Sequence, residues 1–293
     1  MHLACRSEVQ ALDSCVGGDG CELLAAVDGY GCVTLARDAA GTADSADSSH
    51  HHPGAVASLQ PPHGSYEPSW AGCAFAPGAP YALATARTLA RCVDLYDGDL
   101  HVRALHTPSY PAALAFLPPS GAAGGAGTLL AVAEAACISL WDMRAPSCVS
   151  RWGAGSTPSP LLALATGLAP AGYPLLASCG AERALVVYDA RAGRPLRRIN
   201  GFMRKDVTAL RFSSVDTRTV YAAGQDNQVT CRRWDTAPDT LAGPPDRDKL
   251  PGGWAFRGDA RWAGLALSGA QGGDTIAAIS ASGALAAAHV TAG

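Results

Sequence analysis

Apolar and polar positions alternate along this chain in short runs closed by Gly, Pro, Asp or Asn. That period reads as half-buried β-strands joined by tight turns. The strands fall into groups of one plan, termed a to d in chain order. The second group is 70–75, 81–85, 91–97 and 101–106, and the third is 112–117, 129–133, 137–142 and 148–152. The fourth is 161–168, 175–179, 184–189 and 195–199; the fifth is 207–212, 220–223 and 228–235, followed by a loop. Strand c of these groups closes on an aromatic–Asp dipeptide: Tyr96-Asp97, Trp141-Asp142, Tyr188-Asp189 and Trp234-Asp235, spaced by 45, 47 and 46 residues. A fixed period in the forties with four short strands per repeat predicts the blades of a β-propeller.

Weaker first and last groups flank these four. Segments 9–13, 23–27 and 32–35 turn at Asp28-Gly29-Tyr30-Gly31, and segments 263–268, 275–280 and 284–290 turn at Ser282-Gly283. The last group lacks an outer strand. Residues 2–6 are expected to supply it, because a propeller hides its strand edges by closing its ring. Counted this way, residues 1–293 form one all-β propeller of six blades. The alternative is a seven-blade ring, with the chain truncated or one blade degenerate; a further blade needs roughly 40 residues. Segments 38–67, 120–127 and 236–252 are rich in Ala, Gly, Ser, Asp and Pro. They read as flexible loops, and 38–67 as dispensable for folding.

The repeats resemble those of the WD40 family over nearly the whole chain, and repeats two to five carry the likeness. The Gly-His dipeptide usual before strand a is absent, with His106 and Gly201-Phe202 in the corresponding places. The resemblance implies a hydrogen-bond chain of His, Asp, Ser or Thr, and Trp bracing each blade; here Asp226, Thr208 and Trp234 come nearest to it. Their shared place at the end of strand c predicts that Trp141 and Trp234 are buried between blades while the neighbouring Asp142 and Asp235 hold turns, with Tyr188 and Asp189 in the same structural places.

Composition narrows the class. Nearly half the residues are apolar and 16% are charged, a globular balance. No apolar run reaches the roughly 18–20 residues needed to span a bilayer, and residues 1–10 show no secretion-signal pattern. Ten cysteines are scattered without a C-x-x-C pair, which suits reduced thiols and a cytoplasmic or nuclear setting. The net charge of −3 hides an asymmetry: residues 183–233 carry eleven Lys or Arg against four Asp.

No nucleophile elbow, P-loop or H-E-x-x-H motif occurs, so no catalytic, cofactor or metal residue is assigned. The glycine-rich 121–127 precedes no helix that would present amides to phosphate. Gly17-Gly18-Asp19-Gly20 reads as a turn, and His50-His51-His52 as a loop tract without further ligands at metal spacing. Two features remain. The stretch 129–144 resembles the W-D-x-R box of substrate receptors of cullin-RING ubiquitin ligases, with Val132 and Ala135 departing from it. Its ending recurs as Tyr188-Asp189-Ala190-Arg191, after Glu182 at the acidic position. The resemblance makes Arg144 and Arg191 candidate adaptor contacts. Arg197, Arg198, Arg204 and Lys205 form a basic cluster that reads either as a solvated face or as a docking patch for an acidic peptide, phosphoprotein or nucleic acid. Only Phe202 and Phe212 interleave it, which disfavours single-strand stacking.

The expectation is a non-enzymatic scaffold that recruits proteins or peptides and uses no cofactor or membrane. Its rivals are a cullin-RING substrate receptor and a propeller hydrolase.

Overall fold

A computed structural model describes residues 7–16, 22–37, 54–62, 68–119, 127–154, 158–236, 254–270 and 272–291. Every regular element among them is a strand. The first sheet is β1 (Val9–Val16), β2 (Glu22–Asp28), β3 (Val33–Arg37) and β4 (Gly54–Leu59); the second is β5 (Ala71–Ala76), β6 (Ala79–Arg87), β7 (Cys92–Asp97) and β8 (Leu100–His106). The third holds β9 (Pro111–Phe116), β10 (Leu129–Glu134), β11 (Cys137–Asp142) and β12 (Cys148–Gly153). The fourth holds β13 (Leu161–Leu168), β14 (Pro174–Gly180), β15 (Leu185–Asp189) and β16 (Arg194–Ile199). The fifth runs β17 (Val207–Phe212), β18 (Thr219–Gly224), β19 (Gln228–Arg233) and β20 (Trp254–Arg257). The last has three strands among the described residues, β21 (Trp262–Ala270), β22 (Gly273–Ser280) and β23 (Leu285–Thr291). Each sheet is a meander of sequence neighbours, as the period of the sequence requires.

Two corrections concern outer strands. The segment 38–67, expected to be a loop, contains β4, which pairs with β3 from Val33↔Leu59 to Arg37↔Gly54. The fifth repeat, expected to end in a loop, gains β20 against β19. Both strands lie far along the chain from their partners, so the local period does not mark them. Residues 2–6, 38–53, 63–67, 120–126 and 237–252, and with them the turn at Gly17 and the three histidines, lie outside the described residues.

The chain forms two compact units, one of Met1–Pro119, Gly124–Glu134 and Trp141–Val149, the other of Ser120–Ala123, Ala135–Leu140 and Ser150–Gly293. In each, some inner strands are buried on both faces while outer strands reach solvent. All of β5 and β14 is buried, whereas β8 and β12 are largely exposed. Small side chains permit this close stacking: Ala84, Ala86, Ala131 and Ala133 in the first unit and Ala177, Ala222 and Ala223 in the second are fully buried. Trp141, Val132, Leu130 and Leu95 share one core cluster of the first unit. Val207, Leu210, Leu175 and Leu185 anchor one of the second.

A bulge recurs where strand a opens beside the end of strand b. It faces Asp28, Glu134, Gly180, Gly224 and Ser280 in five of the sheets. In the fourth and fifth the backbones come so close that a Cβ on Gly180 or Gly224 would lie 2.2 or 2.1 Å from the carbonyl oxygen of Pro160 or Asp206. Only glycine fits such an approach.

Buried polar groups brace the sheets in place of the expected family chain. Asp94, almost fully buried, meets His101 Nε2 at 3.1 Å and Arg87 Nη2 at 3.9 Å. Asp274 of β22 accepts bonds from the hydroxyl of Ser213, from Ser214 Oγ at 2.5 Å and from Tyr221 OH at 2.9 Å. Burial raises the Asp274 carboxyl, but these donors outweigh it and hold it below the ordinary carboxylate range.

Candidate functional site

The aromatic–Asp-x-Arg turns take the same form twice. Strand c buries its aromatic, Trp141 or Tyr188, and ends on the following Asp. The Tyr188 hydroxyl donates to the Ala154 carbonyl at 2.7 Å. Asp142 Oδ1 then accepts the backbone N–H and the Nε–H of Arg144, each at 3.0 Å, and Oδ2 accepts Nη2 at 2.7 Å. Asp189 receives Arg191 in the same way, at 3.0, 3.1 and 2.9 Å. These are two-pronged, charge-assisted bonds. The Arg144 side chain lowers the Asp142 carboxyl, and Arg191 lowers that of Asp189. Both guanidinium groups stay in solvent, 75% and 59% exposed. Arg191 also lies over the Tyr173 ring, 4.7 Å from its centroid.

The fifth repeat builds this turn with its charges exchanged. Thr219 pairs with Arg233 where Leu175 pairs with Asp189. The Trp234 N–H bonds the Arg218 carbonyl at 2.9 Å, as Met143 bonds Thr128 and Ala190 bonds Pro174. Arg233 therefore occupies the place of Asp142 and Asp189, and Asp235 that of Arg144 and Arg191. Arg233 Nη2 sits 3.1 Å from Asp235 Oδ2.

This shift corrects two expectations. Trp234 is not the counterpart of Trp141: it lies past β19, half-buried, and its Nε1–H donates to the Thr217 carbonyl at 2.8 Å. The aromatic place belongs to Arg232, whose guanidinium lies 5.6 Å from the Phe202 ring centroid and whose pKa burial lowers. The expected Asp226–Thr208–Trp234 chain is likewise not formed. Thr208 is exposed, Asp226 Oδ1 accepts the Asn227 N–H at 2.8 Å, and the tryptophan N–H is committed to Thr217.

The basic cluster is divided by its own partners. Consecutive residues of β16 point to opposite faces. Arg198 forms an ion pair with Glu182 and donates Nε–H to Asn200 Oδ1 at 2.9 Å. Arg197 reaches the Asp235 carbonyl at 2.9 Å. Arg204 and Lys205 are exposed on the following loop, and the Arg204 carbonyl accepts from Arg183 Nη1 at 3.1 Å. Two of the four basic side chains thus tie blade elements together, and two face solvent.

The buried thiols are held protonated. Burial pushes Cys92 up to about 11, with the Asp94 charge adding to it, and pushes Cys179 up to about 12. The eight cysteines among the described residues are all free thiols. No group of three or more His, Cys, Asp or Glu side chains suited to a metal occurs among those residues. A cleft beside the Trp141–Arg144 turn is lined in part by Asp97, Val102 and Met143, which the sequence keeps apart and the fold brings together.

No protein-family model matches the chain, and no curated protein matches it. Solved structures do. A chain from the crystal structure of the mitotic checkpoint complex aligns with a TM-score of 0.65 at 15% identity, covering 95% of this chain and 74% of that one. At that identity the likeness is one of fold. Together with the six meander sheets among the described residues, it shows the fold of a β-propeller.

Proposed function

We propose that this chain is a non-enzymatic scaffold that recruits protein partners on the surface of its β-propeller. The observation that carries the reading is the repeated Asp-x-Arg turn. Asp142 and Asp189 fix an exposed guanidinium in one orientation while engaging only its Nε and Nη2 edge. The Nη1 edge can then meet a partner's carboxylate or carbonyl with little further loss of side-chain entropy. The test is proximity labelling and affinity capture from cells with wild type and with the Arg144→Glu, Arg191→Glu variant. A reproducible set of partners that the variant loses supports the reading. An empty or identical set overturns it.

A narrower reading is a substrate receptor of a cullin-RING ubiquitin ligase, favoured by the box-like stretch 129–144 and its Arg144 ending. Purified ligase adaptor is offered to wild type and to the Arg144→Ala, Arg191→Ala variant. Retention by wild type and loss by the folded variant is the expected result. Failure of wild type to retain adaptor removes the ligase role and leaves the scaffold reading standing.

A further inference from the structure

Within the first unit, a cleft of about 320 Å³ opens between β7 and β8 and the turn that follows Trp141. Ala79 and Ala82 of β6 line it, where longer side chains would fill the space. Leu95, Val102 and Met143 give it apolar walls, and Asp97 stands at its edge. Met143 is the residue between Asp142 and Arg144. The clasp that holds those two together therefore also holds the methionine against the cleft. The equivalent residue of the fourth repeat, Ala190, is buried and too short to wall a comparable space.

Two further observations point to an occupant. Leu100 and Val102 of β8, the latter at the irregularity where β8 pairs with β7, are 68% and 61% exposed. They extend the apolar surface outward from the cleft, as an interaction patch does. Asp97 is exposed and forms no side-chain hydrogen bond or ion pair with the described residues, unlike Asp142 and Asp189 at the corresponding ends of strand c. An apolar hollow with one uncommitted carboxylate on its rim is complementary to an apolar side chain next to a cation.

We infer that this cleft docks a peptide segment of a protein partner that presents an aliphatic side chain beside a Lys or Arg. The aliphatic group enters between Leu95, Val102 and Met143, and the cation meets Asp97. The inference rests on the scaffold reading and adds to it a site and a partner chemistry.

Three methionines make the test direct, since Met143 lines the cleft and Met203 is buried in the other unit. The full chain is labelled at the methionine methyl carbons and titrated with the blocked peptide Gly-Leu-Lys-Gly-Gly, with Leu-Glu and Ser-Lys versions alongside. The Leu-Lys peptide is expected to shift the Met143 methyl saturably, at about millimolar affinity, and to leave Met203 in place. The Leu-Glu and Ser-Lys peptides are expected to bind more weakly. Asp97→Asn should weaken the Leu-Lys peptide about three- to five-fold, the scale of a solvent-facing ion pair. Val102→Ser, at an exposed position, should weaken it with the Met203 signal unchanged. A Met143 methyl that does not move, equal titration by Leu-Lys and Leu-Glu, or indifference to Asp97→Asn overturns the proposal. Any of these with partner capture intact removes the cleft and leaves the scaffold reading untouched.

Discussion

Arg233 and Asp235 form the ion pair of Asp142 and Arg144 in reverse order, at the same place of a repeated turn. The two nitrogen–oxygen contacts span 3.3 and 3.1 Å in the fifth repeat and 3.0 and 2.7 Å in the third. Either polarity closes the turn between strands c and d, and β7 turns into β8 after Asp97 with no such pair among the described residues, so the turn depends on neither the direction of the pair nor its presence. Arg233 also lies 3.9 Å from Asp216, and Arg218 lies 3.7 Å from Asp235, which ties the reversed turn into a wider charged cluster.

Exchanging both charges, Arg233→Asp with Asp235→Arg, is expected to retain the turn at a small cost from these neighbours. Arg233→Asp alone sets a carboxylate against Asp235 and Asp216 and should lower Tm by more than the double exchange, though by no more than about 2 °C at an exposed site. Calorimetry of the two variants decides it. A double exchange no better than the single would show that the reversed pair contributes nothing.

Trp141 and Trp234 should respond very differently to truncation. Trp141 sits in the core of the first unit, 5% exposed, and Trp141→Ala is expected to cost about 3–5 kcal/mol. Trp234 is half-buried, so Trp234→Ala loses partial packing and the bond to Thr217 and should cost less than half as much. Denaturant midpoints measured side by side check the ranking.

At Gly224 the expected effect comes from backbone contact. Gly224→Ala places a methyl 2.1 Å from the Asp206 carbonyl oxygen, and relief requires the bulge at Val207 to move. A loss of about 1–3 kcal/mol is expected. Gly98→Ala is the control, with nothing within 4 Å of its Cβ. Its cost comes only from the left-handed backbone, φ 63°.

Asp274 gives the stability a dependence on acid. Its carboxyl lies lower in the folded chain than in the unfolded one, despite the opposing effect of burial. Its contribution is therefore complete above the ordinary carboxylate range and is lost as pH falls through its depressed folded value. Asp274→Ala strands the hydroxyls of Ser213, Ser214 and Tyr221 and is expected to cost about 1–3 kcal/mol at neutral pH. The gap between wild type and variant should narrow as pH is lowered toward 2, as chemical denaturation across that range will show.

The period of apolar runs marked strands a to c throughout because it depends only on residues near in sequence. Position within the turn was less legible. Trp234-Asp235 mimics Trp141-Asp142, and only the pairing of Thr219 with Arg233 shows that the fifth repeat is offset by two residues. The basic cluster looked like one patch because sequence gives no partners. Glu182 reaches Arg198 across the sheet, and the Asp235 carbonyl meets Arg197 from the next repeat. The cleft was not legible for a simpler reason: Ala79, Ala82, Leu95 to Asp97, Val102 and Met143 come from separate places in the chain that only the fold brings together.

The placement of β4 and β20 sets an order of assembly. Sixteen residues separate β4 from β3 and twenty separate β20 from β19, whereas β8 follows β7 after two. By chain length alone, each doubling of a connection adds about 0.6 kcal/mol to the cost of joining its ends. The two remote strands are therefore the high-contact-order pieces of their sheets and are expected to pair after the inner three and to open before them. In native-state hydrogen exchange the amides of β4 and β20 should open earlier than those of β8, β12 and β16. Each such opening would bare the edge of β3 or β19, a row of backbone groups left without a partner strand.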